Sequence, residues 1–263
     1  MSRQAEAIAW LRDALPRHVG PWDQCFMLSI YTAEPFIHPA SGVHIDPDPE
    51  EGRILEVSDQ WILMRNSEKA LFVCARDLVQ TVPTVGSTVR ITPYARRGFD
   101  GKRLDGADTK TGVPGFAALS RQWRSELPFD PSGLRSSSLR ELVEQIEYCR
   151  APDGIRRLSQ VLIDAGASSE PISVIDLSAN TERASVRPSL QFRIHTEKVD
   201  GYLKIECIST TNEYRLYLLT HEGELLRTLG PVSHDRLTSL IVEWIDDGKW
   251  RIAKVEVVGP DVN

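Results

Sequence analysis

Closely spaced cysteines are missing from this chain of 263 residues: Cys25, Cys74, Cys149 and Cys207 are spread almost evenly, with no CxxC among them. That spacing offers neither the ligand geometry of a zinc site nor a disulfide framework, so reduced and mostly buried thiols are expected. Long apolar runs are missing too, and nothing approaches the ~18–20 residues that a membrane-spanning helix needs. The opening MSRQAEAIAWLRDALPRHVGPW breaks its apolar positions with charge and holds no continuous hydrophobic stretch of the signal-peptide kind, so a cytoplasmic location is expected.

The signatures of familiar chemistry are equally scarce. There is no GxxxxGK[ST] and no GxGxxG, which removes the usual phosphate cradles, and no GxSxG. His18, His38, His44, His195, His221 and His234 contain neither HExxH nor another close ligand pair. The acidic stretch HIDPDPEE, with His44, Asp46, Asp48, Glu50 and Glu51, lacks the glycine and terminal glutamate spacing of a calcium loop and reads as a solvated acidic loop. No catalytic residue, metal ligand or cofactor site is therefore expected. An activity of unrecognised type would need His195, His221 or a carboxylate pair to converge in a pocket.

What is present describes a globular protein: 41% of residues are hydrophobic and 26% charged, with glycine and proline at ordinary levels. A net charge of −6 is opposite in sign to that of proteins that coat nucleic acid over their whole surface, although it allows a local basic patch.

Periodicity divides the chain into three stretches. Residues 1–51 hold a short amphipathic helix over 3–15, with Ala5, Ile8, Leu11 and Leu15 near helical spacing and Pro16 as its stop. A proline- and acid-rich arm follows. Residues 52–125 carry four short β segments, RILEVS, QWILMR, ALFVCA and STVRITPY, in which Ile54, Leu63, Phe72, Val85, Val89 and Ile91 are the expected core. Residues 126–263 begin with two helices. In the first, Ser138 and Glu141 fit a capping box and Leu139, Leu142, Val143 and Ile146 form one stripe. The second starts near Pro152 and Asp153, carries Ile155, Leu158 and Leu162 on one face, and ends at Gly166. Antiparallel strands, a helix with Leu237, Leu240, Ile241 and Trp244 on one face, and a closing strand WRIAKVEVV complete the chain. The predicted class is α+β: a small antiparallel meander or partly closed barrel, a helical connector, and a C-terminal α+β domain with an antiparallel sheet.

One run stands out. VRITPYARRGFDGKRLDG sets Arg90, Arg96, Arg97, Lys102 and Arg103, with Tyr94 and Phe99, against a single carboxylate before its final LDG. Cations on a loop neutralise phosphates, and flanking aromatics stack on bases; Trp123, between Arg121 and Arg124, is a further candidate for an exposed stacking ring. The same residues also fit a surface for a protein partner, or the charged, soluble end of a β-hairpin turning at Asp100-Gly101. On any of these readings Arg96, Arg97, Lys102 and Arg103 are expected to be exposed, because unpaired buried charge is strongly disfavoured.

Residues 52–105, above all ARDLVQTVPTVGSTVRITPYARRGFDGKRLD, resemble the small β domain called KfrB of bacterial plasmid and conjugation-associated proteins. Val82, Pro83, Val85, Gly86, Val89 and Ile91 carry the match. The resemblance implies a non-catalytic accessory protein of a mobile element, acting through DNA or through another protein of the plasmid maintenance or transfer machinery; the basic run extends the first to DNA or RNA backbone, and the acidic net charge with the C-terminal α+β half suits a regulator or inhibitor that binds another protein. It implies no catalytic residue, and it does not extend to residues 110–263.

Overall fold

The computed structural model describes residues 2–19, 27–34, 46–105, 125–177, 186–208, 211 and 213–258. The chain is α+β and folds as two compact units, Met1–Ala95 with Lys249–Asn263, and Arg96–Gly248.

In the first unit Ser2 caps helix α1 (Arg3–Ala14), its hydroxyl accepting from the Ala5 N–H at 3.2 Å. The helix buries a stripe of Ala7, Leu11 and Ala14, while Ala5, Ile8 and Leu15 of the sequence reading are half-buried, Leu15 packing against the core. Two alanines on that stripe let the helix approach its neighbours closely. The sheet takes the order β1 (Leu28–Tyr31), β4 (Leu71–Ala75), β3 (Trp61–Asn66), β2 (Glu50–Val57), β5 (Thr88–Thr92) and β11 (Lys254–Val257). It stays open: β1 and β11 are its two edges, and no closed barrel forms among the described residues. All pairs are antiparallel except β1 with β4.

Trp61 to Met64 and Leu71 to Ala75 are buried without alternation, which requires cover on both faces at the sheet centre. Ile54, Leu63, Phe72, Val89 and Ile91 lie in this core, as expected. Val85 does not: it sits in the turn before β5 and is 57% exposed, because the turn, and not the strand period, decides where its side chain points.

The closing strand corrects the expected domain layout. Lys254 to Val257 pair with Thr92 to Val89 of β5, so the end of the chain completes the first sheet and not the second. The Tyr31 hydroxyl donates to the Arg251 carbonyl at 2.7 Å and the Ala253 N–H to the Leu78 carbonyl at 2.7 Å, fastening the returning segment just before β11. A period-two pattern announces a strand and says nothing of which sheet it joins.

The second unit is an antiparallel meander in the order β10 (Leu225–Val232), β9 (Glu213–Thr220), β8 (Asp200–Ile208), β7 (Ser189–His195) and β6 (Ser173–Ile175). Along β8, Leu203, Ile205 and Cys207 are buried; on the other face Tyr202, Lys204 and Ile208 are half-buried and Glu206 is buried, so the alternation is incomplete. Helices α2 (Ser137–Tyr148), α3 (Leu158–Asp164) and α4 (His234–Ile245) contribute Leu139, Leu142, Ile146, Leu162, Leu237, Ile241 and Trp244 to the same core as Leu190, Phe192 and Leu216. The helices expected to link the sheets are thus built into this unit.

The cap of α2 is Ser136, whose hydroxyl accepts from the Leu139 N–H at 3.3 Å, two residues before the expected Ser138. Asp176 accepts from the N–H groups of Arg135 and Ser136, at 2.7 and 2.9 Å, and sets the start from outside the segment. Helix α3 likewise begins at Leu158 and not near Pro152. Residues 151–157 form a turn in which Asp153 Oδ1 accepts from the N–H groups of Ile155 and Arg156, at 2.7 and 2.8 Å. Gly166 ends α3 with φ +94°, the left-handed conformation expected there.

Arg156 explains the late start. Its side chain is 0% exposed, and its guanidinium donates to Asp153 Oδ2 from Nε at 2.9 Å, to Asp164 Oδ2 from Nη1 at 2.9 Å and to Asp246 Oδ2 from Nη2 at 2.5 Å. Burial alone would lower its pKa; the carboxylates, Asp164 foremost, outweigh that and raise it.

Replacing Arg156 with Met should cost about 3–5 kcal/mol in urea unfolding, because three carboxylates lose the cation that neutralises them. A loss below about 1 kcal/mol would show that the cluster carries no stability. The first unit should also weaken in alkali. Burial, reinforced by the charge of Asp77, pushes the Cys74 thiol from an ordinary 9.0 up to about 12, and burial pushes the Tyr31 phenol from 10.0 to about 12. Between those values the unfolded chain has released protons that the folded chain keeps, so stability falls as pH rises above 9 and is lost progressively towards 12. Urea midpoints followed from neutral pH into this window should fall, and fall less in Cys74→Ala. Equal slopes would exclude the thiol as a contributor.

Candidate binding surface

The basic run folds as a short hairpin. The Leu104 N–H donates to the Arg96 carbonyl at 2.9 Å and the Gly98 N–H to the Lys102 carbonyl at 2.9 Å, with Arg97 opposite Arg103. The turn closes through the Gly101 N–H to the Gly98 carbonyl at 3.0 Å. Gly101 has φ +77°, the left-handed position of a three-residue hairpin loop, which the Asp100-Gly101 pair anticipated. Asp100 Oδ1 accepts from the Lys102 N–H at 3.0 Å; this bond first, then the Lys102 side chain, holds the carboxyl below its usual pKa.

The hairpin divides the expected cluster. Arg97 and Lys102 are exposed, Arg97 donating to the Gly101 carbonyl at 2.7 Å and Lys102 lying 3.2 Å from Asp100. Contrary to expectation, Arg96 and Arg103 are buried. Arg103 grips Asp105 with two donors, Nε to Oδ1 at 3.0 Å and Nη2 to Oδ2 at 2.5 Å, so the carboxylate of the final LDG satisfies it locally. Counting charges along the run does not reveal this pairing, which depends on the fold of the stem. Phe99 is partly buried against the second unit's core and anchors the turn.

Arg90 and Tyr94 belong to the first unit and the other five described candidates to the second. Arg90 is exposed on β5, 2.8 Å from Glu51 on β2, the strand beside it. Tyr94 sets its ring edge-on to Trp250, with centroids 4.7 Å apart, and its N–H donates to the Tyr31 hydroxyl at 3.3 Å; it is a packing residue. Trp123 lies outside the described residues.

Two features escaped the sequence reading. The first is the turn between α2 and α3, where Arg150 stands opposite Arg157. Its signal is the Asp153-Gly154 pair, a hairpin turn signature hidden inside what reads as a helix start. The second is β10, an edge strand along which every residue but Val232 is exposed, including Leu225 at 57% and Leu226 at 55%. A strand pattern alone does not mark an edge.

His38 and His44 lie outside the described residues, and His195 and His221 do not converge on one pocket. His195 Nδ1 lies 3.3 Å from Asp200 on a largely exposed side chain, and the His221 ring is 6.1 Å from that of Tyr202. Among the described residues no three histidine, cysteine, aspartate or glutamate side chains come together as metal ligands. Comparison of the chain with profiles of protein families, with curated proteins and with solved structures finds no match.

The hairpin makes a sharp distinction among its cations. Arg103→Ala should lower stability by about 1–3 kcal/mol, since it strips a charged partner from Asp105 in a half-buried site. Arg97→Ala and Lys102→Ala should stay within about 0.5 kcal/mol of the parent. Thermal unfolding that ranks Lys102 or Arg97 above Arg103 would contradict this reading of the stem.

Proposed function

We propose that the chain is a non-catalytic binding module whose partner is another protein, engaged along β10. The observation that carries this reading is the edge itself: eight residues, paired among the described residues to β9 alone, with Leu225, Leu226 and Leu229 exposed. Unpaired N–H and C=O groups on such a strand accept an extended partner as an added strand, and the leucines supply apolar area at the contact. Arg227 is held against the Trp244 ring, 4.4 Å from its centroid, and 3.3 Å from Glu243, which stiffens the strand from the helix side. Breaks in register between Leu225 and Arg227 and between Leu229 and Val232, with Pro231 in the second, twist the edge and remove a donor, which disfavours indiscriminate pairing.

The resemblance of residues 52–105 supports a setting in the cytoplasm of a bacterium that carries a mobile element, where the chain would regulate or inhibit plasmid maintenance or transfer. A second reading, contact with nucleic-acid backbone, is favoured by the exposure of Arg97 and Lys102 at the hairpin tip.

The full chain and a Leu225→Glu/Leu226→Glu variant should differ as baits in extract of a plasmid-bearing host: a protein held by the parent should be lost by the variant while the thermal midpoint is unchanged. Equal recovery by both would remove β10 from the function.

A further inference from the structure

Charge is divided between the two ends of β10. Glu224 stands immediately before the strand, and Arg236 lies four residues beyond Val232, in the first turn of α4. Both are exposed, and neither forms an ion pair among the described residues. Their acidic neighbours are answered locally: Glu222 accepts from its own N–H and the Thr220 hydroxyl, and Asp235 from the Ser233 hydroxyl and its own N–H, bonds that hold both carboxyls below their usual pKa. The strand thus runs from an unpaired negative charge to an unpaired positive one. A like strand laid antiparallel matches that polarity at both ends, and one laid parallel opposes it. Between the charges, Leu225, Leu226 and Leu229 are 57, 55 and 38% exposed. Arg227 and Leu229 lie opposite the buried Leu218 and Leu216 of β9 and share the helix-side face, whereas Thr228 lies opposite Tyr217 on the other.

We propose that β10 pairs antiparallel with β10 of a second copy of this chain, forming a two-fold dimer. This rests on the reading of β10 as the contact strand and names its occupant. The two breaks in register leave Arg227 to Leu229 as the regular stretch, which fixes the axis there. An axis at Arg227 would oppose two guanidiniums, and like charges directly across a ladder repel. An axis at Thr228 sets the two threonines together and puts Arg227 of each copy opposite Leu229 of the other, where the arginine stem covers the leucine. Leu226 then faces Gly230, whose lack of a side chain leaves it room. At the ends, Glu224 of each copy approaches Arg236 of the other. The leucines supply the apolar area, and the charges set direction and register. A contact of this kind closes on itself, so two copies cover both exposed edges.

Sedimentation equilibrium of the full chain across the micromolar range should show a mass rising from 29.5 kDa towards twice that value. Glu224→Arg alone and Arg236→Glu alone should each weaken the dimer about tenfold, because each sets like charges together at both ends of the contact. An equimolar mixture of the two variants should recover the parent's affinity, since one copy of each restores an opposite pair at both ends; recovery also shows that both are folded. Raised salt should weaken the parent dimer and strengthen that of either single variant. Leu225→Glu/Leu226→Glu should be monomeric with unchanged circular dichroism. A parent that stays monomeric throughout, a mixture no tighter than its components, or a dimer that survives Leu225→Glu/Leu226→Glu would overturn the proposal. A monomeric parent that still captures a host protein lost by the leucine variant overturns the second copy as occupant and leaves β10 a protein-binding strand. A monomeric parent that captures no more than the leucine variant removes both.

Discussion

A buried guanidinium must be neutralised, and Arg156 meets that requirement by joining the two ends of its own segment to a helix end 90 residues away in sequence. Asp153 comes from the turn before α3, Asp164 from its last residue and Asp246 from the end of α4. One cation against three carboxylates leaves the cluster net negative, which keeps Arg156 charged and makes its removal costly. The same contact accounts for the shortness of α3. Asp153 serves the turn and the guanidinium at once, so the chain cannot be helical there. That turn is what sets Arg150 across from Arg157.

In the first unit the corresponding constraint is sheet completion. β5 would be an edge without β11, and the residues that bring β11 in, Tyr31, Leu78 and Ala253, are all buried. A chain that leaves this unit at Ala95 and returns at Lys249 can finish its sheet only after the second unit has been made. Long-range closure of this kind is entropically costly and depends on well-packed contacts at the return point. Buried bonds from the Tyr31 hydroxyl and the Ala253 amide meet that need.

Charge and apolar surface are handled differently on the second unit. Several of its cations are answered locally: Arg103 by Asp105, Lys204 by Glu206, Arg193 by Asp200, Arg227 by Glu243. Against that background the leucines exposed together on β10 are the exception. Binding surfaces are read from such exceptions, since answered charges and isolated apolar residues are ordinary features of a protein surface.

Local pattern determined a good deal by itself: the α+β class, the stripe of Leu139, Leu142, Val143 and Ile146, the left-handed Gly166 and the turn at Asp100-Gly101. These depend on period, capping chemistry or steric freedom within a few residues, and such forces act before distant parts of the chain meet. Tertiary structure decided the rest. It sent β11 to the first sheet, buried Arg96 and Arg103, left Val85 outside, moved the cap of α2 to Ser136 and ended the helical reading of residues 152–157. For β11, the cap of α2 and residues 152–157 the deciding partners, β5, Asp176 and Asp246, are distant in sequence and act through space, and the energy of a pair is set by distance and burial, which no spacing along the chain encodes.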